Sequence, residues 1–590
     1  MDIFSKRKKR FLAAEKSDPR IKKIAYFFIL FAILIMAKLF DFQVLKFDFY
    51  SALASDQHEI YKKLFPERGS IYLKDKELSI LTKQEDLYPV ALNKDYNLIY
   101  AQPKFLDKSP EEMAKILAPL LELKEEDLVI KLNKKDDPYE PLKHKVEDSL
   151  AENIINLNLT GIKAVKETFR FYPEKNIGAN VLGFVGSTDS GPKKGFYGIE
   201  GYFDKELAGQ QGEIQSEKDI TGNLLSIGEK KFIRAKDGAD IVLTLDKTIQ
   251  FEICSQFNEH AKVIEADSGS VIVMDPKTGA IIAMCSYPDF DPNDYSQVDG
   301  PGVYNNRAIY EAYEVGSIFK PVTMAAGLEL GKITPETTYF DDGFVKIDKF
   351  TIRNHDKISH GKMTMTQVLE KSLNTGAIFV ARQVGKKDFR DYVEKFGFGQ
   401  KTGIELAAES PGDIETLKKK GEIYMATASF GQGITATPIQ MVQAFSAIAN
   451  GGLMVKPYIV DKIKNFNGTV IETERPAPQK VISSKTATLL TGMMVSVVEN
   501  GEGTKGKVPG YYVAGKTGTA QIPDYEHGGY SNKLNHSFIG FAPIKDPAFV
   551  MIIKFENPKK GSFASITTAP LFSRMAKYIL DYYHIIPDAL

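Results

Sequence analysis

A serine three positions ahead of a lysine can act as nucleophile and base, because one helical turn brings the lysine amine within reach of the serine hydroxyl. The spacing occurs at Ser5/Lys8, Ser190/Lys193, Ser317/Lys320 and Ser359/Lys362, so the pair alone decides nothing. What distinguishes Ser317 is its setting in EVGSIFKP. After Gly316 the run IFKPVTMAAGLEL reads as a helix, and Pro321 lacks an N–H. Proline is harmless only in a first turn, so the helix is predicted to begin at about Ser317. That places the hydroxyl at the positive end of a helix, where free N–H groups would stabilise an alkoxide or a tetrahedral oxyanion. The chemistry such a pair supports is acyl transfer through a serine ester.

A second lysine motif first looks like something else. Gly510 to Thr517, GYYVAGKT, satisfies the G-x-x-x-x-G-K-[ST] pattern of a phosphate-binding loop, which makes a nucleotide-binding enzyme a rival reading. Its context is wrong for that role. GEGTKGKVP precedes it, GTAQIPDYEHGG follows, and YYVAG is itself strand-like, so the lysine is expected to end a strand. Read as Lys516-Thr517-Gly518-Thr519 it suits a sheet edge that binds an extended peptide. The lysine and threonines would hold a carboxylate, and the glycine would let the ligand come close. Lys-Thr-Gly also occurs at 277–279, in a hairpin turn, and at 401–403, in a glycine-rich loop. Between the two lysine motifs lies KSLNTG, with Ser372 and Asn374 in a break between helical runs. Alone this would be a helix cap.

In that order, Ser317-x-x-Lys320, Ser372-x-Asn374 and Lys516-Thr517-Gly518 resemble the motif set of the penicillin-recognising serine enzymes. Leu373 fills the central position where β-lactamases carry Asp, which favours a transpeptidase. The likeness extends through FPERGSIY, RFYPEKNIGANVLGFVG, GIEGYFDKELAGQQGE, DPKTGAIIAM, PDFDPN, NRAIYEAYEVGSIFKP and SFGQGITATPIQMVQAFSAIANGG. Together these are similar to the class B penicillin-binding proteins. After RGSIY the family usually carries an Asp-Arg-x-Gly run, where this chain has LKDKE.

The resemblance implies a peptidoglycan D,D-transpeptidase that cross-links stem peptides ending in D-Ala-D-Ala and is acylated by β-lactams. Ser317 would be the nucleophile and Lys320 its base. Ser372 would relay a proton, Asn374 would orient Lys320 and the substrate amide, and Lys516 would lower the pKa of Lys320. Lys516, Thr517 and Thr519 would hold the terminal carboxylate, with the N–H groups of Ser317 and Thr519 as the oxyanion hole. No metal or cofactor is expected, and the rival readings on this fold are a β-lactam sensor or hydrolase and a silent cell-wall scaffold. Division is the expected setting, with elongation as the alternative. A membrane glycosyltransferase and divisome or elongasome proteins are the implied partners.

These residues need elements to hold them. At 590 residues the chain is too long for one core, and its 76 basic and 76 acidic residues leave no excess to suggest nucleic acid. Residues 1–23 hold nine Lys/Arg against three acids, and Ile24 to Ala37 carry no charge. With Lys38 snorkelling, residues 24–40 are expected to form a single transmembrane anchor, with 1–23 in the cytoplasm and the rest beyond the plasma membrane. Residues 41–239, with a strand at GSIYL and a helix at PEEMAKILAPLLEL, read as a mixed α+β pedestal. From 240 to 590, IVLTLDKTIQ reads as a strand entering a helix, VIVMDPKTGAIIAMCS as a β-hairpin, and HSFIGFAP and AFVMIIKFE as strands. Strands at both ends with helices between predict an α/β domain whose sheet joins the two ends. The family fold implied is an antiparallel sheet flanked by helices. Cys254 and Cys285 sit in apolar runs and read as buried free thiols, and His527 and His536 as solvated loop histidines.

Overall fold

The computed structural model describes residues 19–45, 65–75, 86–135, 137–188, 191–215, 231–524 and 526–589. Residues 1–18, with Ser5/Lys8, and Ser190 lie outside them. The chain divides into two compact units, residues 1–67 with 209–237, and residues 68–208 with 238–590. The first contains helix α1 (Pro19–Phe40) and a short antiparallel pair, Glu213–Gln215 with Lys231–Ile233. From Ile24 to Phe40 most of the large apolar side chains of α1 are exposed. The expected transmembrane helix is not found as such, since among the described residues no helix is long and apolar enough to cross a membrane. Arg20, Lys22 and Lys23 occupy the first turns of α1, and the uncharged run Ile24–Ala37 would rise only about 21 Å against a hydrocarbon core of roughly 30 Å.

The second unit opens with β1 (Ile71–Lys74) and β2 (Leu87–Ala101), a strand of 15 residues that the charged sequence of this region conceals. Helix α2 (Pro110–Leu121) starts where Ser109 and Glu112 form a reciprocal capping box. Its buried Met113, Leu117 and Leu121 pack with Ile99, Leu142 and Ile154 into a separate small core beside β3 (Glu140–Val146) and β4 (Ile162–Phe171). At the expected change of character come β5 (Asp240–Asp246) and α3 (Lys247–Val263), where the Asp246 carboxylate accepts the N–H groups of Thr248 and Ile249. The predicted hairpin is β6 (Ser268–Met274) with β7 (Ile281–Tyr287), turning at Lys277–Gly279.

After this hairpin come α4 (Lys320–Glu329) and four short strands, β8 (Thr338–Asp341), β9 (Phe344–Ile347), β10 (Phe350–Arg353) and β11 (Gly361–Thr364). They lead into α5 (Met365–Glu370) and α6 (Asn374–Val384). Helix α7 (Pro438–Ala449) is buried from Pro438 to Ile448, as its nearly unbroken apolar sequence requires. Strands β12 (Val460–Lys464) and β13 (Val470–Glu472) precede α8 (Ser484–Asn500), and the chain closes with β14 (Ala514–Pro523), β15 (Tyr530–Ala542), β16 (Phe549–Glu556) and α9 (Ala564–Tyr582).

Five antiparallel strands in the order β7-β6-β16-β15-β14 form the central sheet, so the two ends of the region are joined as the pattern of strands predicts. Strand β14 is its edge. A second sheet runs β13-β12-β5-β1-β2-β3, with β4 also on β2, so β5 lies between strands from both sides of residue 240.

The structure corrects the reading of the two cysteines. Cys254 on α3 and Cys285 on β7 form a disulfide, their Cα atoms 5.7 Å apart. The helix packs against the strand that carries its partner, an adjacency invisible when two apolar runs are read separately. His536 is also buried, 1 % exposed on β15, with Nδ1 2.9 Å from Thr567 Oγ1. It lies within a long strand covered by α9, not in the loop, and desolvation holds its pKa near 4. His527, by contrast, is exposed as expected, 3.2 Å from Asp524.

Candidate active site

Ser317 lies in a tighter turn ahead of the helix, which begins three residues later than the predicted start at about Ser317. Gly316–Phe319 form a 3-10 turn and α4 begins at Lys320, with Pro321 in its first turn. The proline argument locates the first α-helical turn, and the tighter turn before it satisfies the entering chain. Gly316 is left-handed, at φ 61°, and a Cβ there would stand 2.8 Å from the Ala520 Cβ of β14. From the other side, the Gly316 N–H donates to Gly431 O at 3.0 Å, and a Cβ on Gly431 would meet Gly316 O at 2.3 Å. The turn that carries Ser317 is therefore pressed between a strand and a loop, and the contacts need glycine at Gly316 itself and at Gly431.

Lys516 falls inside β14, not at the end of a strand, and Tyr511 to Val513 precede the strand. Its neighbour Gly518 serves packing: a Cβ there would lie 2.6 Å from Ser537 Oγ and 3.0 Å from Ile318 Cγ2. The absent side chain lets β14 approach the serine's turn, a different reason from the ligand clearance expected of it.

The three motifs meet. Lys320 Nζ lies 3.0 Å from Ser317 Oγ and 3.2 Å from Ser372 Oγ, and also donates to the Ser372 carbonyl. Lys516 Nζ donates to the same Ser372 Oγ at 3.0 Å and to Thr517 O at 3.1 Å. Ser372 Oγ is thus a bridge between two amines. Ser372 itself is left-handed, at φ 54°, which turns the chain sharply between α5 and α6. Leu373 is fully buried and anchors that turn in the core.

Both lysines are fully buried. Desolvation, followed by the Lys516 ammonium, holds the Lys320 pKa well below the ordinary lysine value, while Glu502 opposes the shift. Burial is thus the leading cause and the like charge the second. Lys516 is lowered by burial to about 8, again opposed by Glu502. Burial and the like charge thus push Lys320 toward the neutral amine, while Lys516, at about 8, keeps its charge at neutral pH.

Asn374 stands differently from expectation, and Thr519 and Glu314 make contacts that no motif announces. Asn374 is the first residue of α6, but its amide donates to Arg353 O at 3.0 Å instead of to Lys320. Thr519 Oγ1 accepts the Ala564 N–H at 3.2 Å. Glu314, two residues before Gly316, accepts from Gly433 N and Tyr530 Oη, both at 2.9 Å, and ties the serine's loop to the tip of the β14–β15 hairpin. No motif marks Glu314 or Glu502, since their partners are far apart in sequence. The other serine and lysine candidates are occupied elsewhere. Ser359 Oγ donates to Asp341 O at 2.7 Å, and Lys277 pairs with Asp546 at 2.5 Å. Among the described residues no group of His, Cys, Asp and Glu is arranged to hold a metal.

The arrangement suits two-step acyl transfer: a serine beside an amine pushed toward neutrality, a hydroxyl linking that amine to a second lysine, and an edge strand to seat a peptide. The comparisons with known proteins agree. A family described as "Penicillin binding protein transpeptidase domain" matches residues 269–577, and "Penicillin-binding Protein dimerisation domain" matches residues 63–243. Stage V sporulation protein D of Bacillus subtilis is 32% identical over 95% of this chain and 86% of its own length. Peptidoglycan D,D-transpeptidase FtsI of Escherichia coli is 29% identical over 85% of this chain and 83% of its own. The crystal structure of penicillin binding protein 2X from Streptococcus thermophilus superposes with a TM-score of 0.72 at 25% identity, covering 88% of this chain and 80% of that one. The chain belongs to the class B penicillin-binding proteins, serine-type peptidoglycan D,D-transpeptidases of cell-wall synthesis.

Proposed function

We propose that Ser317 forms the acyl-enzyme of this transpeptidase, with Lys320 as base, Ser372 as proton relay, and Lys516, Thr517 and Thr519 as the carboxylate site. The observation that carries this reading is the pair of contacts at Ser372 Oγ, which lies within hydrogen-bond reach of both Lys320 and Lys516. Neutral Lys320 takes the Ser317 proton as Oγ attacks the carbonyl between the two terminal D-alanines. The tetrahedral oxyanion is held by the N–H groups of Ser317 and Thr519. As the C–N bond breaks, the proton passes from Lys320 through Ser372 to the departing D-alanine nitrogen, and the remaining stem is left as a Ser317 ester. An amine of a second stem attacks the ester, gives up its proton to Lys320 and leaves as the cross-linked amide, restoring the serine. Asn374 reaches the substrate amide once its side chain turns from Arg353. Gly518 keeps the strand close to the nucleophile.

A β-lactam enters the same first step, but its departing nitrogen stays tethered and obstructs the acceptor. Brief exposure to penicillin, removal of free drug and intact-mass measurement test the reading. A persistent adduct on the peptide containing Ser317 is expected; rapid return to the unmodified mass with repeated turnover would favour a hydrolase. Absence of any adduct would favour a silent scaffold.

We further propose that residues 24–40 anchor the protein in the plasma membrane, with 1–23 inside, a pedestal at 41–239 and the catalytic domain at 240–590 outside. The exposed apolar side chains of α1 and the basic residues before it support the anchor. The Cys254–Cys285 bridge supports an oxidising compartment for the catalytic domain. Cell division is the proposed setting, with a membrane glycosyltransferase as partner. Septal enrichment of a fluorescent fusion is the expected outcome, and even distribution along the side wall would point to elongation instead.

A further inference from the structure

The loop Ser372-Leu373-Asn374 carries part of the site, yet nothing in its own sequence ends α6 properly. The residue before the helix is Leu373, whose side chain makes no capping bond. A helix of this kind leaves its first N–H groups unsatisfied unless another group supplies an acceptor. Here the acceptor comes from a distant strand: Asn354 Oδ1, just past β10, accepts the Thr375 N–H at 3.2 Å.

Asn354 is 1 % exposed and is itself held in place. Its Nδ2 lies 3.0 Å from each carboxylate oxygen of Asp341, at the end of β8. Asp341 is fully buried, and its carboxylate also accepts the Gly343 N–H at 3.0 Å, the His360 N–H at 3.1 Å and the Thr375 hydroxyl at 2.7 Å. A buried carboxylate without a cation beside it is tolerable only when its oxygens are saturated in this way. The residue preceding Asn354 continues the connection, because the Arg353 carbonyl receives the Asn374 amide at 3.0 Å. The residue following it, His355, lies 3.2 Å from Glu502. Three consecutive residues thus fasten Asn374, Thr375 and the loop that bears Glu502.

We propose that Asp341 and Asn354 are positioning residues for the transpeptidase reaction: together they cap α6 from outside and so fix Ser372 against Lys320 and Lys516. This rests on the assignment of Ser317, Ser372 and Asn374 proposed above. Neither residue touches the substrate; each acts through the first turn of α6. Loss of the cap frees the Thr375 N–H and lets the left-handed turn at Ser372 relax, which lengthens the contacts at Ser372 Oγ. The thermal transition is set mainly by the core, so the effect on acylation exceeds the effect on melting.

The test uses the full-length protein in membranes or detergent, with a fluorescent penicillin as probe. It measures the second-order acylation rate from pH 6 to pH 10 and the melting temperature of each variant. Asn354→Ala is expected to slow acylation about ten-fold and to displace the pH profile, because the two amines no longer share one hydroxyl. An Asn354→Ala protein that acylates within about two-fold of the parent with an unmoved pH profile would overturn the proposal. If Asn354→Ala does not fold, Asn354→Ser takes its place, since its shorter side chain withdraws the acceptor from the Thr375 N–H and keeps a hydroxyl to donate toward Asp341; a folded Asn354→Ser at the parent rate overturns the proposal equally. Ser317→Ala serves as the control that separates the two levels: label retained there would overturn the site assignment itself.

Discussion

At the scale of single residues, the proposed mechanism gives two buried lysines unequal duties. Lys320 must be neutral to accept the serine proton, and its pKa is depressed, so acylation rises as pH climbs through that depressed value. Lys516 must be charged to hold a carboxylate, and it loses its proton near about 8. The expected profile of acylation rate against pH is a bell whose alkaline limb falls near 8. In Lys516→Arg, whose guanidinium stays charged, the peak rate drops but the alkaline limb moves beyond pH 10. A limb that stays near 8 in that variant would assign it to another group. Decoy motifs give a second prediction: Ser359→Ala, whose hydroxyl is bonded to the Asp341 carbonyl, and Lys401→Ala should label with penicillin almost as the parent does. Loss of labelling in either would mean that context does not separate the motifs. That Ser317, Lys320, Ser372 and Lys516 come together was legible in the sequence, because Ser-x-x-Lys, Ser-x-Asn and Lys-Thr-Gly are short local patterns. Glu314, Asp341, Asn354 and Glu502 were not legible: each acts across a separation in sequence that only the fold closes.

At the scale of elements, the nucleophile's turn and the edge strand fit because side chains are missing where they touch. Gly518→Ala would place a methyl against Ser537 Oγ and Ile318, and Gly316→Ala would add strain at φ 61° to a contact with Ala520. Each is expected to cost about 1–3 kcal/mol of stability, and acylation should fall further than stability does, since the displaced group is Ser317. Thermal melting and penicillin acylation measured together check this, and equal, small losses in both would argue against the fit. The element pattern of the catalytic region could be read from hairpin and cap signals, as at Asp246 and Lys277–Gly279. The start of α4 was misplaced by a few residues because a proline cannot distinguish a 3-10 turn from the α-helix it introduces. The disulfide escaped notice because nothing in the sequence says that α3 lies on β7. Breaking it with Cys285→Ser releases a loop spanning 31 residues and is expected to cost about 3–4 kcal/mol, read as a lower melting temperature that reductant no longer changes.

At the scale of the whole molecule, residues 68–208 and 238–590 form one unit although a functional border is drawn between them at residue 240. A protein beginning at Asp41 is expected to be soluble and to acylate, whereas one beginning at Asp240 should aggregate, because β5 loses β1 and its buried Ile241 and Leu243 become an exposed edge. Size-exclusion profiles of the two proteins decide this; a monomeric, acylating fragment from Asp240 would show that the catalytic region needs no neighbour. The sequence could place the border from a change in composition, but composition is silent on strand pairing. The shared sheet has a mechanical meaning. With β5 hydrogen-bonded to β1 on one side and β12 on the other, residues 240–590 cannot swivel on the strands β1 and β2 without tearing a ladder. A partner that twists the lobe of β2, β3 and β4 therefore turns a stiff lever, and the torque arrives at β5 and at the helix that begins at its end.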